Sequence, residues 1–330
     1  MGSGPTPLGH PGMTTSHDEL PPQALKTVTG FAPAKVNLYL HVTGRRADGY
    51  HLIDSLVGFA DIGDRVTVRP GAALSLEIGG PQAAVLADAG AENLVLRAAR
   101  LLAAHARVSA GAAIHLYKHL PVAAGIGGGS SDAAATLRAL SRLWRVASDD
   151  EALFRLGARL GADVPVCLLA RPAWVGGIGE RIEPAPPLPD AGIVLANPRI
   201  GLPTAAVFAA GQGRFGDAGR FVQMPRDAAG LAAALNSRRN DLTEVAIGLV
   251  PEIAAVLGAL SRLPGALIAR MSGSGATCFA LFADRALAEQ ACAALAAAEP
   301  RWWCAGGGLL PPAVLAASVH DDRQSGHVIR

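Results

Sequence analysis

The stretch PVAAGIGGGSSDAAATLRAL, residues 121–140, is the most informative part of the chain for its fold. Four glycines and two serines precede a run in which Leu137, Leu140 and Trp144 recur at helical spacing. Glycine backbone approaches a ligand closely and adopts positive φ, and the free N–H groups and dipole of a helix start attract anions. The stretch therefore predicts a phosphate-binding loop that opens a helix. The alternative is a flexible glycine turn with a good N-cap.

Two common phosphate-loop types do not match this stretch. A Walker A loop requires GxxxxGK[ST], and the loop supplies no lysine. A dinucleotide fingerprint aligned from Gly125 requires a third glycine where Ser130 stands, and no acidic ribose ligand follows in a βαβ unit. The sequence thus argues against a P-loop nucleoside triphosphatase and against a nicotinamide dehydrogenase.

A second glycine–serine cluster begins at Met271, in MSGSGATCFALF. Its Gly-Ser-Gly precedes an apolar strand, and successive backbone N–H groups there can form another concave anion site. A tight turn would explain this cluster equally well when it is taken alone. Two such loops in one chain fit a ligand that carries several phosphates.

Two ionisable residues stand in apolar surroundings. Lys35 lies in FAPAKVNLYL and Asp163 in LGADVPVCLL. A strand lysine can simply extend its ammonium group to water, and an aspartate after a helix can simply form a local turn. Together they supply what phosphoryl transfer to an alcohol needs. The carboxylate can take the hydroxyl proton, and the cation can keep that carboxylate ionised.

The pattern of strands and helices predicts an α+β protein in two halves. KVNLYLHVTG, DRVTVRP and ALSLEIGG read as strands in a hairpin-like arrangement, and ENLVLRAARLLAAHA reads as a helix capped by Asn93. Strands and helices then mix without a regular βαβ rhythm. The proline-rich ERIEPAPPLPDAG marks a domain boundary. We expect a disordered extension, two domains and a flexible tail at residues 1–27, 28–185, 190–315 and 316–330.

Composition limits the partners of the chain. The net charge is +2 and there are three tyrosines and eight phenylalanines, which argues against nucleic acid or an anionic membrane as a partner. The four cysteines include no CxxC pair, so reduced thiols in a cytoplasmic protein are expected. His115 and His119 share a strand face but have no third metal ligand in view.

The three quoted stretches, in this order, resemble the GHMP kinase family, which includes galactokinase and the homoserine, mevalonate and phosphomevalonate kinases. In that family a glycine–serine loop binds the phosphates of ATP in place of a Walker A motif. The resemblance implies an N-terminal half like domain 2 of ribosomal protein S5, a C-terminal ferredoxin-like half, and an active site in the cleft between them. It also implies ATP as co-substrate, Mg²⁺, a small-molecule substrate, and a monomer or homodimer.

A narrower resemblance rests on GRRADGYH, residues 44–51, and on LGADVPVCL, GIGERIEP and NDLTEVA. These segments are similar to the branch of the family that phosphorylates the 2-hydroxyl of a cytidine diphosphate-linked methylerythritol, in non-mevalonate isoprenoid biosynthesis. The resemblance runs from about residue 31 to about residue 310. The alternatives are a GHMP kinase for homoserine or mevalonate and a nucleotide-binding regulator without turnover. The presence of both Lys35 and Asp163 argues against the regulator.

The resemblance implies a role for each matched residue. Asp163 would be the catalytic base and Lys35 its partner, while Tyr50 and His51 would hold the cytosine and Phe208 would close its other side. The full set predicted to bind the substrate is Asn37, Tyr50, His51, Phe208, Gly273 and Ser274. The set predicted to bind ATP is Asn93, Lys118, Pro121, Gly125, Gly127, Gly128, Gly129, Ser130 and Ser131.

Two positions depart from the family pattern. Ile126 replaces the usual leucine of GLGGGSS, a conservative exchange. Asp132 stands where many relatives have asparagine, and a carboxylate beside phosphates repels them unless Mg²⁺ lies between. Ser131 is a candidate ligand of that Mg²⁺.

Overall fold

The computed structural model describes Met1 and residues 27–86, 90–146, 149–211, 215–311 and 319–321. Almost all of the predicted N-terminal extension therefore lies outside the described residues, as does most of the predicted tail. In the part of the chain that is described, no helix has the length and apolar character needed to cross a membrane.

The first domain is built on a seven-stranded sheet. The strands are β1 (Val28–Arg45), β2 (His51–Gly71), β3 (Leu74–Gly79), β4 (Gly111–Tyr117), β5 (Ala173–Gly177), β6 (Arg181–Pro184) and β11 (Val319–Asp321). β1 and β2 form a long antiparallel hairpin, and β2 also pairs with β4 and with β5. The sheet order is β11-β1-β2-β4-β3, with β5 on the other half of β2 and β6 beside β5.

One strand pairing differs from the sequence-based expectation. The segment ALSLEIGG forms β3, but β3 pairs in parallel with β4 and does not continue the hairpin of β1 and β2. A parallel pair needs a crossover connection, and the helix predicted from ENLVLRAARLLAAHA supplies it. The prediction of each strand was correct, and the predicted hairpin-like arrangement was wrong for this strand.

In the described part of the first domain, α1 (Leu94–Ala106) and α2 (Gly128–Leu143) pack on the sheet, and α3 (Asp150–Leu160) and α4 (Val164–Leu169) pack on these two helices. Asn93 caps α1 as predicted, since its side chain accepts a hydrogen bond from the Val95 N–H at 2.9 Å. α2 packs across β1 and β2 and buries Leu137 and Leu140 completely. The start of α2, where the glycine loop ends, is thereby held against the sheet.

The second domain contains a four-stranded antiparallel sheet in the order β10-β7-β9-β8. Helices from both halves of the domain pack against it, which confirms the α+β class. Its strands are β7 (Gly192–Asn197), β8 (Ile268–Met271), β9 (Cys278–Phe282) and β10 (Trp303–Gly308). Its helices are α5 (Thr204–Ala210), α6 (Ala228–Asn236), α7 (Thr243–Leu249), α8 (Glu252–Ser261) and α9 (Arg285–Ala298).

The proline-rich segment connects the two sheets, since β6 ends at Pro184 and β7 begins at Gly192. An apolar cluster that includes Leu38, Ile126 and Phe279 lies between the domains. The sequence places the domain boundary in this segment, and the exact domain limits stay a prediction. Because residues from both domains contribute to that cluster, the surfaces that form the cleft are held together by burial of apolar area.

The end of the chain returns to the first sheet. The Leu310 N–H donates to the Phe59 carbonyl at 2.8 Å, and Val319–Asp321 pairs with the outer edge of β1. The expected flexible tail therefore does not hold for these three residues. Their pairing satisfies backbone groups that an uncovered edge strand would leave open.

Candidate active site

A cleft of about 950 Å³ lies where the two domains meet. Its walls are the glycine loop, the bulged part of β1, the GRRADGYH turn, α5 and the second glycine–serine loop. Every site residue predicted from the sequence lines this cleft, with the exception of Ser131. The fold thus brings together side chains that lie far apart in the sequence.

The predicted charge pair is formed. Lys35 Nζ lies 2.8 Å from Asp163 Oδ2; the lysine side chain is 7% exposed and the aspartate side chain 44% exposed. Register shifts in β1 on either side of Lys35 and Asn37 bend the strand here, and such bulges re-aim side chains. The result is a buried cation that holds a carboxylate which a ligand in the cleft can reach.

The glycine loop begins α2 in the way the sequence predicts. Gly127 has φ 62° at the N-cap, and a side chain there would bring Cβ to 3.1 Å from Lys35 Cβ. The Lys35 N–H donates to the Ile126 carbonyl at 2.9 Å and ties the loop to β1. The first N–H groups of an α-helix have no partner within the helix, so those of Gly128 and Gly129 are available to an anion.

The two glycine–serine loops pack against each other, backbone to backbone. A Cβ on Gly125, which has φ 74°, would lie 2.6 Å from the carbonyl oxygens of Gly275 and Ser272. Ser272 Oγ donates to the Gly125 carbonyl at 3.1 Å. The second loop is itself held by Asn240, whose Nδ2 donates to the Gly273 carbonyl at 2.8 Å. Each loop therefore fixes the position of the other.

A buried ionic cluster that the sequence did not reveal lies beneath the glycine loop. Lys118 Nζ lies 2.5 Å from Asp64 Oδ2 and 2.7 Å from Asp132 Oδ2, and none of the three side chains is more than 3% exposed. Asp64 Oδ1 also accepts from the backbone N–H groups of His119 and Leu120, at 2.6 and 2.8 Å. The cluster joins β2, the end of β4 and α2. Lys118 lines the cleft, but its ammonium group is already bound to two carboxylates.

Burial and charge act in opposite directions on this cluster. Burial lowers the pKa of Lys118, but the carboxylates of Asp132 and Asp64 outweigh it and raise the pKa overall. Burial raises the pKa of Asp132 to about 8, against the opposing effect of Lys118. Lys118 is therefore charged. Asp132 can bind a proton near neutral pH, which reduces the negative charge of the cluster.

The Ser131 hydroxyl does not face the cleft. It is 2% exposed and donates to the Pro33 carbonyl at 2.7 Å, with Cys167 Sγ at 3.3 Å. The expectation that Ser131 ligates Mg²⁺ is therefore not supported by its geometry, because the hydroxyl is buried at the contact between α2 and β1 and does not line the cleft. The described residues also contain no group of three His, Cys, Asp or Glu side chains placed to hold a metal.

The GRRADGYH turn places aromatic side chains at the opposite end of the cleft. Tyr50 is 60% exposed, and the His51 ring centroid lies 5.4 Å from that of Phe208, with the planes 33° apart. Partial burial and the positive charge of Arg45 lower the pKa of His51, so its imidazole is neutral near pH 7. At this separation the two rings touch. A base can enter between them only if α5 moves outward, and otherwise it stacks on the exposed side of the pair.

Two family models match the chain. The model described as GHMP kinases N terminal domain matches residues 93–171, and the one described as GHMP kinases C terminal matches residues 221–301. The chain is 56% identical over 271 residues to a 4-diphosphocytidyl-2-C-methyl-D-erythritol kinase of Paramagnetospirillum magneticum, covering 82% of this chain and 94% of that one. It is 52% identical over 279 residues to the Rhodospirillum rubrum protein of the same name, covering 84% and 91%.

Solved structures of two kinases are similar to this chain. The crystal structure of a 4-(cytidine 5'-diphospho)-2C-methyl-D-erythritol kinase superposes with a TM-score of 0.69 at 37% identity, over 85% of this chain and 98% of that one. Homoserine kinase from Cytophaga hutchinsonii superposes with a TM-score of 0.66 at 17% identity, over 87% and 95%. The second similarity shows a shared fold alone.

Proposed function

The chain belongs to the 4-diphosphocytidyl-2-C-methyl-D-erythritol kinases of the GHMP kinase family, and we propose that its interdomain cleft carries out their reaction. The enzyme transfers the γ-phosphoryl group of ATP to the 2-hydroxyl of its substrate and releases ADP and the 2-phosphate, a step in non-mevalonate isoprenoid precursor biosynthesis. The observation that carries the assignment to the cleft is the pair formed by Lys35 and Asp163 beside the glycine loop.

Asp163 acts as the base in this proposal. Its carboxylate accepts the proton of the 2-hydroxyl while that oxygen bonds to the γ-phosphorus and the bond to the β-phosphate oxygen breaks. Lys35 Nζ lies 2.8 Å from Asp163 Oδ2, holds that carboxylate in place, and stabilises the negative charge that grows on the attacking oxygen. Because the transition state of phosphoryl transfer is loose, positioning and charge stabilisation carry most of the rate.

The glycine loop binds the phosphates of ATP in this proposal. The N–H groups at the start of α2 point to the cleft end of the helix, where the helix dipole favours negative charge. Ser130 lines the cleft there and can add a hydroxyl donor. Asn93 also lines the cleft; its side-chain oxygen caps α1, which leaves its NH₂ group for the nucleotide. Lys118 holds the loop from below through Asp132.

In this proposal Mg²⁺ binds together with ATP. The Ser131 hydroxyl is directed away from the cleft, and the described residues offer no three-side-chain metal cluster. These features fit a Mg²⁺ whose ligands are mainly phosphate oxygens and water, as is usual for this ion. When bound, the ion would neutralise phosphate charge, and we assign no protein ligand to it.

The aromatic end of the cleft binds the cytosine in this proposal. A neutral imidazole offers one donor and one acceptor, which suits the polar edge of a pyrimidine base. Tyr50 and Phe208 provide ring faces for stacking. Homoserine and mevalonate carry no base that would use these side chains.

Replacing Phe208 tests this assignment. We expect Phe208→Ala to raise KM for the cytidylylated substrate about 3- to 10-fold through lost aromatic contact, with KM for ATP unchanged. The measurement is coupled ADP release at varied concentrations of each substrate. Phe215→Ala is the matched control, since Phe215 is 48% exposed and lies outside the cleft. An equal rise in KM for ATP, or none for the cytidylylated substrate, would remove the base-binding role.

Three further expectations from the sequence stay predictions. They are that the protein works in the cytoplasm, as a monomer or homodimer, and without nucleic acid or membrane partners.

A further inference from the structure

The side chain of Asn37 has an unused hydrogen-bond acceptor at the cleft. Asn37 follows Lys35 by two residues on β1, lines the cleft, and is 3% exposed. Its Nδ2 donates to Ser55 Oγ at 2.8 Å. Its Oδ1 is buried and has no hydrogen-bond partner among the described residues. Buried polar atoms are rarely left unpaired, so this oxygen points to a ligand.

Ser55 determines which end of the amide faces the cleft. Ser55 lies on β2, is fully buried, and its Oγ lies 2.6 Å from the Tyr39 carbonyl oxygen. A carbonyl can only accept, so the single hydroxyl proton of Ser55 is donated to Tyr39. Ser55 Oγ therefore has only lone pairs to offer Asn37, and the amide must present its NH₂ group to it. The amide oxygen is left on the opposite side.

The backbone of Asn37 is fixed as well. Its N–H donates to Ser272 Oγ at 3.1 Å, and Ser272 Oγ in turn donates to the Gly125 carbonyl at 3.1 Å. The Asn37 oxygen lies close to Gly273, where an added Cβ would be 3.3 Å from it. Asn37 is thus held at the junction of β1 with both glycine–serine loops, two residues from the charge pair.

We propose that Ser55 is a positioning residue for the reaction: it holds the Asn37 amide so that Oδ1 accepts a hydrogen bond from a hydroxyl group of the methylerythritol unit, while proton transfer remains with Asp163. This role rests on the function proposed above. An NH₂ group in the same place can only donate, so it would meet the hydroxyl hydrogen of the substrate without being able to accept it. Ser55 is fully buried and does not line the cleft, so its effect passes through Asn37.

A double-mutant cycle tests this role. The variants are Ser55→Ala, Asn37→Ala and the combination, assayed by coupled ADP release with the cytidylylated substrate. We expect Ser55→Ala to lower kcat/KM for that substrate about 3- to 10-fold, the usual effect of one hydrogen bond, with KM for ATP within about twofold of wild type. Adding Ser55→Ala to Asn37→Ala should cause no further loss, because the two residues act through one amide.

Controls separate this role from a purely structural one. Ser55→Thr keeps the hydroxyl and should retain more activity than Ser55→Ala. Thr67 lies on β2, as Ser55 does, and its hydroxyl is hydrogen-bonded to Thr29 of β1. Thr67→Ala should leave kcat/KM unchanged. Losses that multiply in the double variant would overturn the role of Ser55, as would a lowered melting temperature with unchanged kcat/KM. Absence of turnover by the wild type would instead contradict the proposed function itself.

Discussion

The Asp163→Asn variant is expected to lose at least about a hundredfold in kcat and to bind ATP as tightly as wild type. The amide is nearly the same size as the carboxylate but cannot accept the hydroxyl proton. It also removes the negative charge that lies 2.8 Å from the buried Lys35 ammonium group. ATP affinity depends on the glycine loop, which the exchange does not touch. Single-turnover ADP formation and equilibrium ATP binding measure the two effects separately.

Asp190→Asn is the matched control for this variant. Asp190 is an exposed carboxylate in the connection between the domains and lies outside the cleft. It should retain wild-type kcat. Wild-type turnover by Asp163→Asn would show that another group takes the proton. A matching loss of ATP binding would show that Asp163 helps to bind the ATP phosphates and does not act on the acceptor alcohol.

The Lys118→Met variant is expected to lose about 3–5 kcal/mol of the free energy of unfolding. The exchange keeps most of the side-chain volume but leaves Asp64 and Asp132 buried without a cation. Removing one partner of a buried ionic cluster costs far more than a surface pair contributes, because the remaining charge cannot be solvated. Because the cluster supports the glycine loop, KM for ATP should rise as well. Urea unfolding followed by circular dichroism measures the stability change.

Arg155→Met provides the comparison for that stability change. Arg155 pairs with Glu151 on α3, and the two side chains are 63% and 78% exposed. Screening by water limits such a pair to about 0.5 kcal/mol. A loss from Lys118→Met no larger than that from Arg155→Met would mean that water reaches the buried carboxylates, and the account of the cluster would then be wrong.

Local chemistry made the glycine loop predictable from the sequence. Positive φ at glycine and the 3.6-residue spacing of leucines are properties of neighbouring residues, so the loop and the start of α2 could be located directly. The pairing of Lys35 with Asp163 could not be found in that way. It was expected because the motifs appear together in one family, and the structure places the two side chains in contact.

Features that depend on distant pairings were missed. Asp64 is the first residue of the predicted strand DRVTVRP, yet its partners come from the segment that follows β4. Ser55 reads as one polar residue in an apolar strand, and its importance depends on Asn37 of the neighbouring strand. The parallel partner of β3 was missed for the same reason, since strand direction depends on a crossover. Composition around a single residue carries no information about such contacts.

The most direct test of the account is the rate of ADP release with ATP and Mg²⁺ when the alcohol is varied. The alcohols to compare are 4-diphosphocytidyl-2-C-methyl-D-erythritol, homoserine and mevalonate. We predict turnover with the cytidylylated substrate alone. Turnover with homoserine or mevalonate in its place would contradict the cytosine-binding role of the aromatic end of the cleft. ATP binding without ADP release for any alcohol would contradict the kinase assignment.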